Sequence, residues 1–78
     1  MATSSIQNNI RKLRFLAGEM TQQELADLVR VSRQTIVAIE KGNYSPSLEL
    51  AFRLARVFKT PLEEVFSYEK EEGFENGE

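Results

Sequence analysis

The chain has 78 residues, no cysteine, no histidine and a formal net charge of −2 at pH 7. This length suits one domain with a small core, and the absence of cysteine excludes disulfide bonds and thiolate zinc sites. The apolar runs are far shorter than the roughly 20 residues of a membrane-spanning helix, and no secretory signal pattern is present. We therefore expect a cytoplasmic domain with no membrane partner.

The charge is divided unevenly along the chain. Residues 69–78, EKEEGFENGE, contain five Glu and one Lys and so carry −4. Residues 1–68 contain nine Lys or Arg against seven Asp or Glu and so carry +2. This division predicts a mildly basic folded domain over residues 1–68 and an acidic, disordered tail over residues 69–78.

The first predicted element is a helix that starts at residue 6 and ends near Gly18, with Ser4 or Ser5 as its N-cap. Apolar residues recur in it at spacings of three and four, which places them on one helical face. These residues are Ile6, Ile10, Leu13 and Ala17.

Two short helices follow. Thr21 and Glu24 have the spacing of a capping box, which predicts a helix start at this point. The core positions of this second helix are Leu25, Ala26, Leu28 and Val29. Ser32 is the predicted cap of a third helix, over residues 32–41, and Gly42 supplies the left-handed backbone that ends it.

Two more helices complete the predicted bundle. Ser47 caps the fourth helix, which ends at Lys59. Its helically spaced apolar residues are Leu48, Ala51, Leu54, Ala55 and Phe58. Thr60 and Glu63 form a second predicted capping box, with Pro61 at the first helical position of a short fifth helix. No segment alternates with period two over the length of a strand, so the predicted fold class is all-α, a compact bundle of five helices.

Enzyme chemistry has few candidate residues in this sequence. It lacks the histidine and cysteine of common acid–base and nucleophilic sites, a glycine-rich phosphate loop and a metal-ligand cluster. Adjacent carboxylates, such as Glu63 with Glu64 or Glu71 with Glu72, are not held facing each other. We therefore expect no catalytic activity, no metal and no cofactor.

The second and third helices, with the tight turn between them, have the form of a helix-turn-helix, in which the second helix enters the DNA major groove. On that helix Arg33, Val37 and Lys41 share one face, opposite Ile36 and Ile39. Arg pairs with guanine, Gln with adenine, and a Val or Ala methyl packs on thymine; Gln34 and Ala38 lie beside the row. The alternative is an ordinary solvated helix face. The helix N-termini at Thr21 and Ser32 are suited to phosphate.

Residues 6–68 resemble the phage-repressor-like helix-turn-helix proteins, also called the Xre or Cro family. The motifs that carry the resemblance are IRKLRFLAGEMTQQELADLV, VSRQTIVAIEKGNYSPSLELAFRLARVF and TPLEEVF, in this order and spacing. The resemblance implies a lambda-repressor-like DNA-binding domain that regulates transcription, with repression as the expected mode, in association with a prokaryotic nucleoid.

The resemblance also implies roles for single residues. Gln22 would bind a phosphate at the start of the second helix. The residues expected to face base edges are Arg33, Gln34, Thr35 and Ala38, with Val37 beside them. Those expected to meet the DNA backbone after the recognition helix are Lys41, Asn43 and Tyr44. Arg14 and Glu40 match a partly buried salt bridge, and Arg30 occupies a turn position where the family usually has Gly.

One recognition helix reads only a few base pairs, so we expect a homodimer on a palindromic site with half-sites about 34 Å apart. The candidate dimer residues are Leu62, Val65, Phe66, Tyr68 and Phe74, although these residues could instead complete the core. The chain has no room for a small-molecule effector domain. The competing hypothesis is a protein-interaction module of the same fold, such as an antitoxin or a coactivator-like adaptor.

Overall fold

The computed structural model describes residues 6–68. In chain order they form β1 (Ile6–Asn8), α1 (Ile10–Leu16), α2 (Gln22–Val29), α3 (Arg33–Glu40), α4 (Leu48–Phe58), α5 (Leu62–Val65) and β2 (Phe66–Tyr68). The predicted bundle of five helices is confirmed over this range, but the all-α class is confirmed only in part because two strands are present. The predicted disordered tail, including Phe74, and the proposed caps at residues 4 and 5 lie outside the described residues.

The two strands join the ends of the described chain in a small antiparallel sheet. Ile6 pairs with Tyr68, Gln7 with Ser67 and Asn8 with Phe66. The prediction that the first helix includes residue 6 is therefore wrong, and Asn9, rather than Ser4 or Ser5, occupies the N-cap of α1.

One local hydrogen bond and two long-range hydrogen bonds fix the late start of α1. The Asn8 side-chain oxygen accepts a hydrogen bond from the Ile10 backbone N–H at 3.1 Å, an interaction that competes with helical bonding. The Asn9 backbone N–H donates to the Val65 carbonyl at 2.9 Å, and its side chain donates to the Glu64 carbonyl at 3.0 Å. These bonds fasten the beginning of α1 to the end of the bundle.

The core lies where α1 to α5 meet. Its buried apolar residues are Ile10, Leu25, Ala26, Val29, Ile36, Ile39, Leu50, Ala51, Leu54, Ala55 and Val65. Three predicted inward positions are wrong: Leu28 is 58% exposed, Leu48 is 67% exposed and Ala17 is also exposed. Leu48 is the first residue of α4, and the buried side of α2 is already filled by Leu25, Ala26 and Val29.

Three of the predicted helix caps are confirmed. Thr21 and Glu24 form both hydrogen bonds of a capping box, at 2.9 and 2.8 Å. The Ser32 hydroxyl accepts from the Thr35 backbone N–H at 3.2 Å, and the Ser47 hydroxyl accepts from the Leu50 N–H at 3.1 Å. The starts of α2, α3 and α4 are therefore fixed by their own local sequence.

The predicted capping box at Thr60 is wrong. The N-cap of α5 is Pro61, without a side-chain capping bond. The Thr60 backbone N–H donates to the Ala55 carbonyl at 3.1 Å, so Thr60 closes the C-terminal end of α4 instead. The left-handed Lys59 (φ 56°) makes this closure, and Thr60 Oγ1 is left buried without a hydrogen-bond partner.

The turn between α2 and α3 keeps a left-handed residue although that residue is not Gly. Arg30 has φ 67° and ψ 45°, and the following Val31 N–H donates to the Ala26 carbonyl at 3.0 Å. The turn therefore has the backbone shape that the resemblance implies, at a cost of order 1 kcal/mol for a residue with a Cβ atom. Gly42, with φ 81°, follows α3.

Candidate nucleic-acid interface

The third helix presents one face to the core and the opposite face to solvent. Ile36 and Ile39 are buried. On the opposite face Arg33, Gln34 and Lys41 are exposed, while the other members are partly exposed, namely Thr35, Val37 and Ala38. The outward row predicted from helical spacing therefore has the accessibility that contact with a ligand requires.

An open concavity lies in front of this row, between the outer face of α3, one side of α1 and the beginning of α2. We call it the basic concavity, and its lining residues are Arg11, Arg14, Thr21, Gln22, Gln23, Arg33, Val37, Glu40 and Lys41. Four of these side chains are basic and one is acidic, a local charge of +3 in a chain whose total is −2. Such a concentration of positive charge favours an anionic ligand.

Inside the basic concavity, Arg14 and Glu40 form a bidentate ion pair. Arg14 Nε donates to Glu40 Oε2 at 2.7 Å and Nη2 donates to Oε1 at 3.1 Å. The third guanidinium nitrogen, Nη1, donates to the Met20 carbonyl at 2.8 Å. The two side chains are only 14% and 9% exposed. The pair implied by the family resemblance is thus present, and it fastens the end of α3 to α1.

Gln22 extends this network to the beginning of α3. Its Nε2 donates to Glu40 Oε1 at 3.2 Å, and its Oε1 accepts from Arg33 Nη2 at 3.3 Å. A continuous chain of side-chain hydrogen bonds therefore runs from Arg14 through Glu40 and Gln22 to Arg33.

The structure brings some of the predicted site residues together and leaves others apart. Gln22, Arg33, Val37 and Lys41 line the basic concavity with the Arg14–Glu40 pair. Ser32 is occupied as the α3 cap, and its hydroxyl also lies 3.1 Å from Thr35 Oγ1. The predicted site residues outside the concavity are Ser32 at the N-cap of α3, Gln34, Thr35 and Ala38 on α3, and Asn43 and Tyr44 in the exposed loop after it.

Sequence reasoning missed two polar residues of the basic concavity, Arg11 and Gln23. Arg11 precedes Arg14 by three residues, a spacing that places both on one face of α1. This spacing could have identified Arg11 once Arg14 was assigned to the salt bridge with Glu40.

The described residues contain no group of acidic residues arranged to hold a metal ion. Over the same residues, none of the helices has the length and apolar character needed to cross a membrane.

A helix-turn-helix family model matches residues 10–65, more than two thirds of the chain. The protein belongs to this family. This match, together with the regulators and the repressor among the relatives given next, confirms the resemblance to phage-repressor-like proteins and the expectation of a transcriptional regulator with a DNA-binding fold. Because this family binds DNA and is not enzymatic, the expectation that the chain is not an enzyme is also confirmed.

Several curated proteins are similar to this helix-turn-helix chain. An uncharacterized HTH-type transcriptional regulator of Methanocaldococcus jannaschii is 48% identical over 67 residues, which span 86% of this chain and 100% of the relative. A regulator of Archaeoglobus fulgidus with the same description is 54% identical over 56 residues, or 72% of this chain and 79% of the relative. The cryptic phage CTXphi transcriptional repressor RstR of Vibrio cholerae is 37% identical over 60 residues, or 77% of this chain and 53% of the relative.

Two solved structures share the fold. The restriction-modification controller protein C.AhdI of Aeromonas hydrophila has a TM-score of 0.64 and 29% identity, over 70% of this chain and 78% of its own. A candidate DNA-binding protein of Bacteroides fragilis has a TM-score of 0.69 over 80% of this chain and 98% of its own. At 19% identity, the second similarity shows the fold alone.

Proposed function

We propose that this protein binds specific double-stranded DNA sequences by placing α3 in the major groove, and that it represses transcription by occupying its site. The observation that carries this proposal is the basic concavity, where the outward row of α3 adjoins the N-terminus of α2. A groove about 12 Å wide accepts one α-helix. Phosphates on either side of the groove are attracted by Arg11 and Lys41.

The residues divide into two proposed groups. Base reading is assigned to the side chains on the exposed side of α3, which are Arg33, Gln34, Thr35, Val37 and Ala38. Arg33 is the strongest candidate, because a guanidinium donates two parallel hydrogen bonds to guanine. Backbone contacts, which position the protein without reading sequence, are assigned to Gln22, Ser32, Lys41, Asn43 and Tyr44.

We base the proposed repression on DNA occupancy and on similarity to a repressor. The proposed location, the cytoplasm that contains the nucleoid, rests on DNA binding. RstR is by its name a transcriptional repressor and is 37% identical over the shared region. A protein that occupies a promoter prevents RNA polymerase from binding there, and this mode of repression requires no effector domain. The direction of regulation is tested by a reporter gene placed behind the selected site.

We also propose a homodimer, since one α3 reads too few base pairs for specific affinity at physiological salt. An apolar groove, lined by Ile6, Pro46, Leu48, Ala51, Leu62 and Phe66, opens beside the sheet. Leu48 in this groove and Tyr68 at the end of β2 are both more than half exposed. Of the predicted dimer residues, Leu62, Phe66 and Tyr68 remain candidates, whereas Val65 is fully buried and belongs to the core.

Selection of duplexes from a random pool tests the proposal. We expect a palindromic consensus, with half-sites about one helical turn apart. Affinity for that consensus should then fall steeply with salt, by roughly one power of salt concentration per phosphate contact. If no duplex is enriched and binding does not respond to salt, the chain acts through protein contacts, as an adaptor or antitoxin of the same fold would.

A further inference from the structure

The chain of hydrogen bonds in the basic concavity has a definite direction. The Glu40 carboxylate can only accept hydrogen bonds, and the Arg33 guanidinium can only donate them. The Gln22 amide lies between these two groups, at 3.2 Å from Glu40 Oε1 and 3.3 Å from Arg33 Nη2. Only one of its two orientations satisfies both neighbours, with Nε2 toward Glu40 and Oε1 toward Arg33.

Glu40 fixes this orientation because Glu40 itself cannot turn away. Its two carboxylate oxygens are held by Arg14, whose remaining nitrogen is bonded to the Met20 carbonyl. The Glu40 side chain is 9% exposed, whereas Arg33 and its bond to Gln22 are exposed. The rigid end of the network therefore lies at the ion pair, and the adjustable end lies at the side chain that faces the proposed ligand.

We infer that Glu40 is a positioning residue for sequence recognition, which acts through Gln22 to set the direction of the Arg33 side chain. This inference rests on the proposed DNA binding and adds a specificity role to a salt bridge that otherwise only joins helices. One N–H of the Gln22 side-chain amide donates to Glu40. The second N–H of the same amide is the proposed donor to a phosphate oxygen. Phosphate binding and base reading are thereby coupled in one side chain.

The inference gives a specific expectation for Glu40→Gln. A glutamine at position 40 can donate as well as accept, so it no longer dictates the orientation of the Gln22 amide. Arg33 then loses its fixed acceptor and samples more directions. We expect discrimination at the base pair read by Arg33 to fall about two- to tenfold, the range of one exposed hydrogen bond. Discrimination at other base pairs should not change.

The test measures dissociation constants for two duplexes, the consensus and the same duplex changed at the base pair where Arg33→Ala loses its preference. The proteins are wild type, Glu40→Gln, Gln22→Leu and the double variant. The ratio of the two dissociation constants is the quantity to compare. Partial unfolding of the protein weakens binding to both duplexes by the same factor and so leaves this ratio unchanged. Glu49→Gln, which removes an ion-paired carboxylate on α4, is the matched control and should keep the wild-type ratio.

We expect Gln22→Leu to lower the ratio as Glu40→Gln does, and the double variant to lower it no further. Gln22→Leu retains the Arg14–Glu40 pair and so provides the test even if Glu40→Gln does not fold. An unchanged ratio in Gln22→Leu, or effects that multiply in the double variant, would overturn the inference. A wild-type protein that selects no consensus at all would instead overturn the proposed function.

Discussion

The basic concavity and the apolar groove are built from opposite kinds of interaction. The concavity is lined mainly by polar side chains, and hydrogen bonds link four of them, Arg14, Glu40, Gln22 and Arg33, into one chain. Among residues 6–68, the side chains that line the groove beside the sheet are apolar ones and a proline. Hydrogen bonds are directional and therefore suit the reading of a sequence, whereas apolar burial is not directional and suits association with a second copy. In the proposed function, one small domain thus uses separate surfaces for sequence recognition and for dimerisation.

The largest expected effect tests whether the polar network also supports the fold. Arg14→Ala removes the positively charged partner of the Glu40 carboxylate, whose side chain is only 9% exposed. We expect a loss of about 3–5 kcal/mol in the free energy of unfolding, measured by urea denaturation followed by circular dichroism.

An exposed ion pair on α4 provides the control for that experiment. Glu49 and Arg53 are separated by 2.8 Å, but their side chains are 76% and 44% exposed. Glu49→Gln should therefore cost less than about 1 kcal/mol, because solvent screens an exposed pair. Equal losses for Arg14→Ala and Glu49→Gln would show that burial does not distinguish the two pairs.

The next effect concerns recognition. Arg33→Ala should weaken binding to the selected duplex by about 1–3 kcal/mol and relax the preference at one base pair. Lys12→Ala removes an exposed charge of α1 that does not line the basic concavity, and it should change the affinity far less. Competition titrations with duplexes altered at single positions measure both. A uniform loss across all duplexes would assign Arg33 to the phosphates.

A charged side chain introduced into the apolar groove tests the proposed role of this groove in dimerisation. Leu48 is 67% exposed at the start of α4, where a negative side chain is compatible with the helix dipole. Leu48→Glu should raise the dimer dissociation constant at least about tenfold, or 1.4 kcal/mol, as measured by analytical ultracentrifugation. Leu28→Glu, at a position 58% exposed outside the groove, should leave it unchanged. If both variants dimerise like wild type, the second copy does not use this groove.

The smallest effect concerns the two left-handed turns that precede and follow α3. Arg30→Gly should raise the free energy of unfolding by about 1 kcal/mol, because Gly adopts φ 67° without the steric cost of a Cβ atom. Gly42→Ala should lower it by a similar amount, although a Cβ atom at this position meets nothing within 4 Å. Thermal unfolding of both variants measures the two changes in the free energy of unfolding. A stabilising Gly42→Ala would show that the backbone conformation at this turn carries no strain.

The helix-turn-helix could be predicted from sequence because its signals are local. The Thr21–Glu24 capping box and the Ser32 cap form hydrogen bonds across three residues, and the outward row of α3 follows from helical spacing alone. The same pattern gave a wrong prediction at Thr60, because the Thr60 backbone N–H already bonds to the Schellman-type C-terminal end of α4. A capping pattern therefore predicts a helix start only where its first residue is not already hydrogen-bonded to the end of the preceding helix.

The sequence alone determined the extents of α2, α3 and α4 to within about a residue or two, the buried and outward faces of α3, and the charge available for a ligand. These features depend on residues within four positions of each other, whose geometry the helix itself imposes. Only the tertiary structure decided that residues 6–8 become a strand, since their partner lies at residues 66–68. It also decided that Arg11, Gln22 and Glu40 share one surface with Arg33, because packing of α1, α2 and α3 around a common core brings distant residues together.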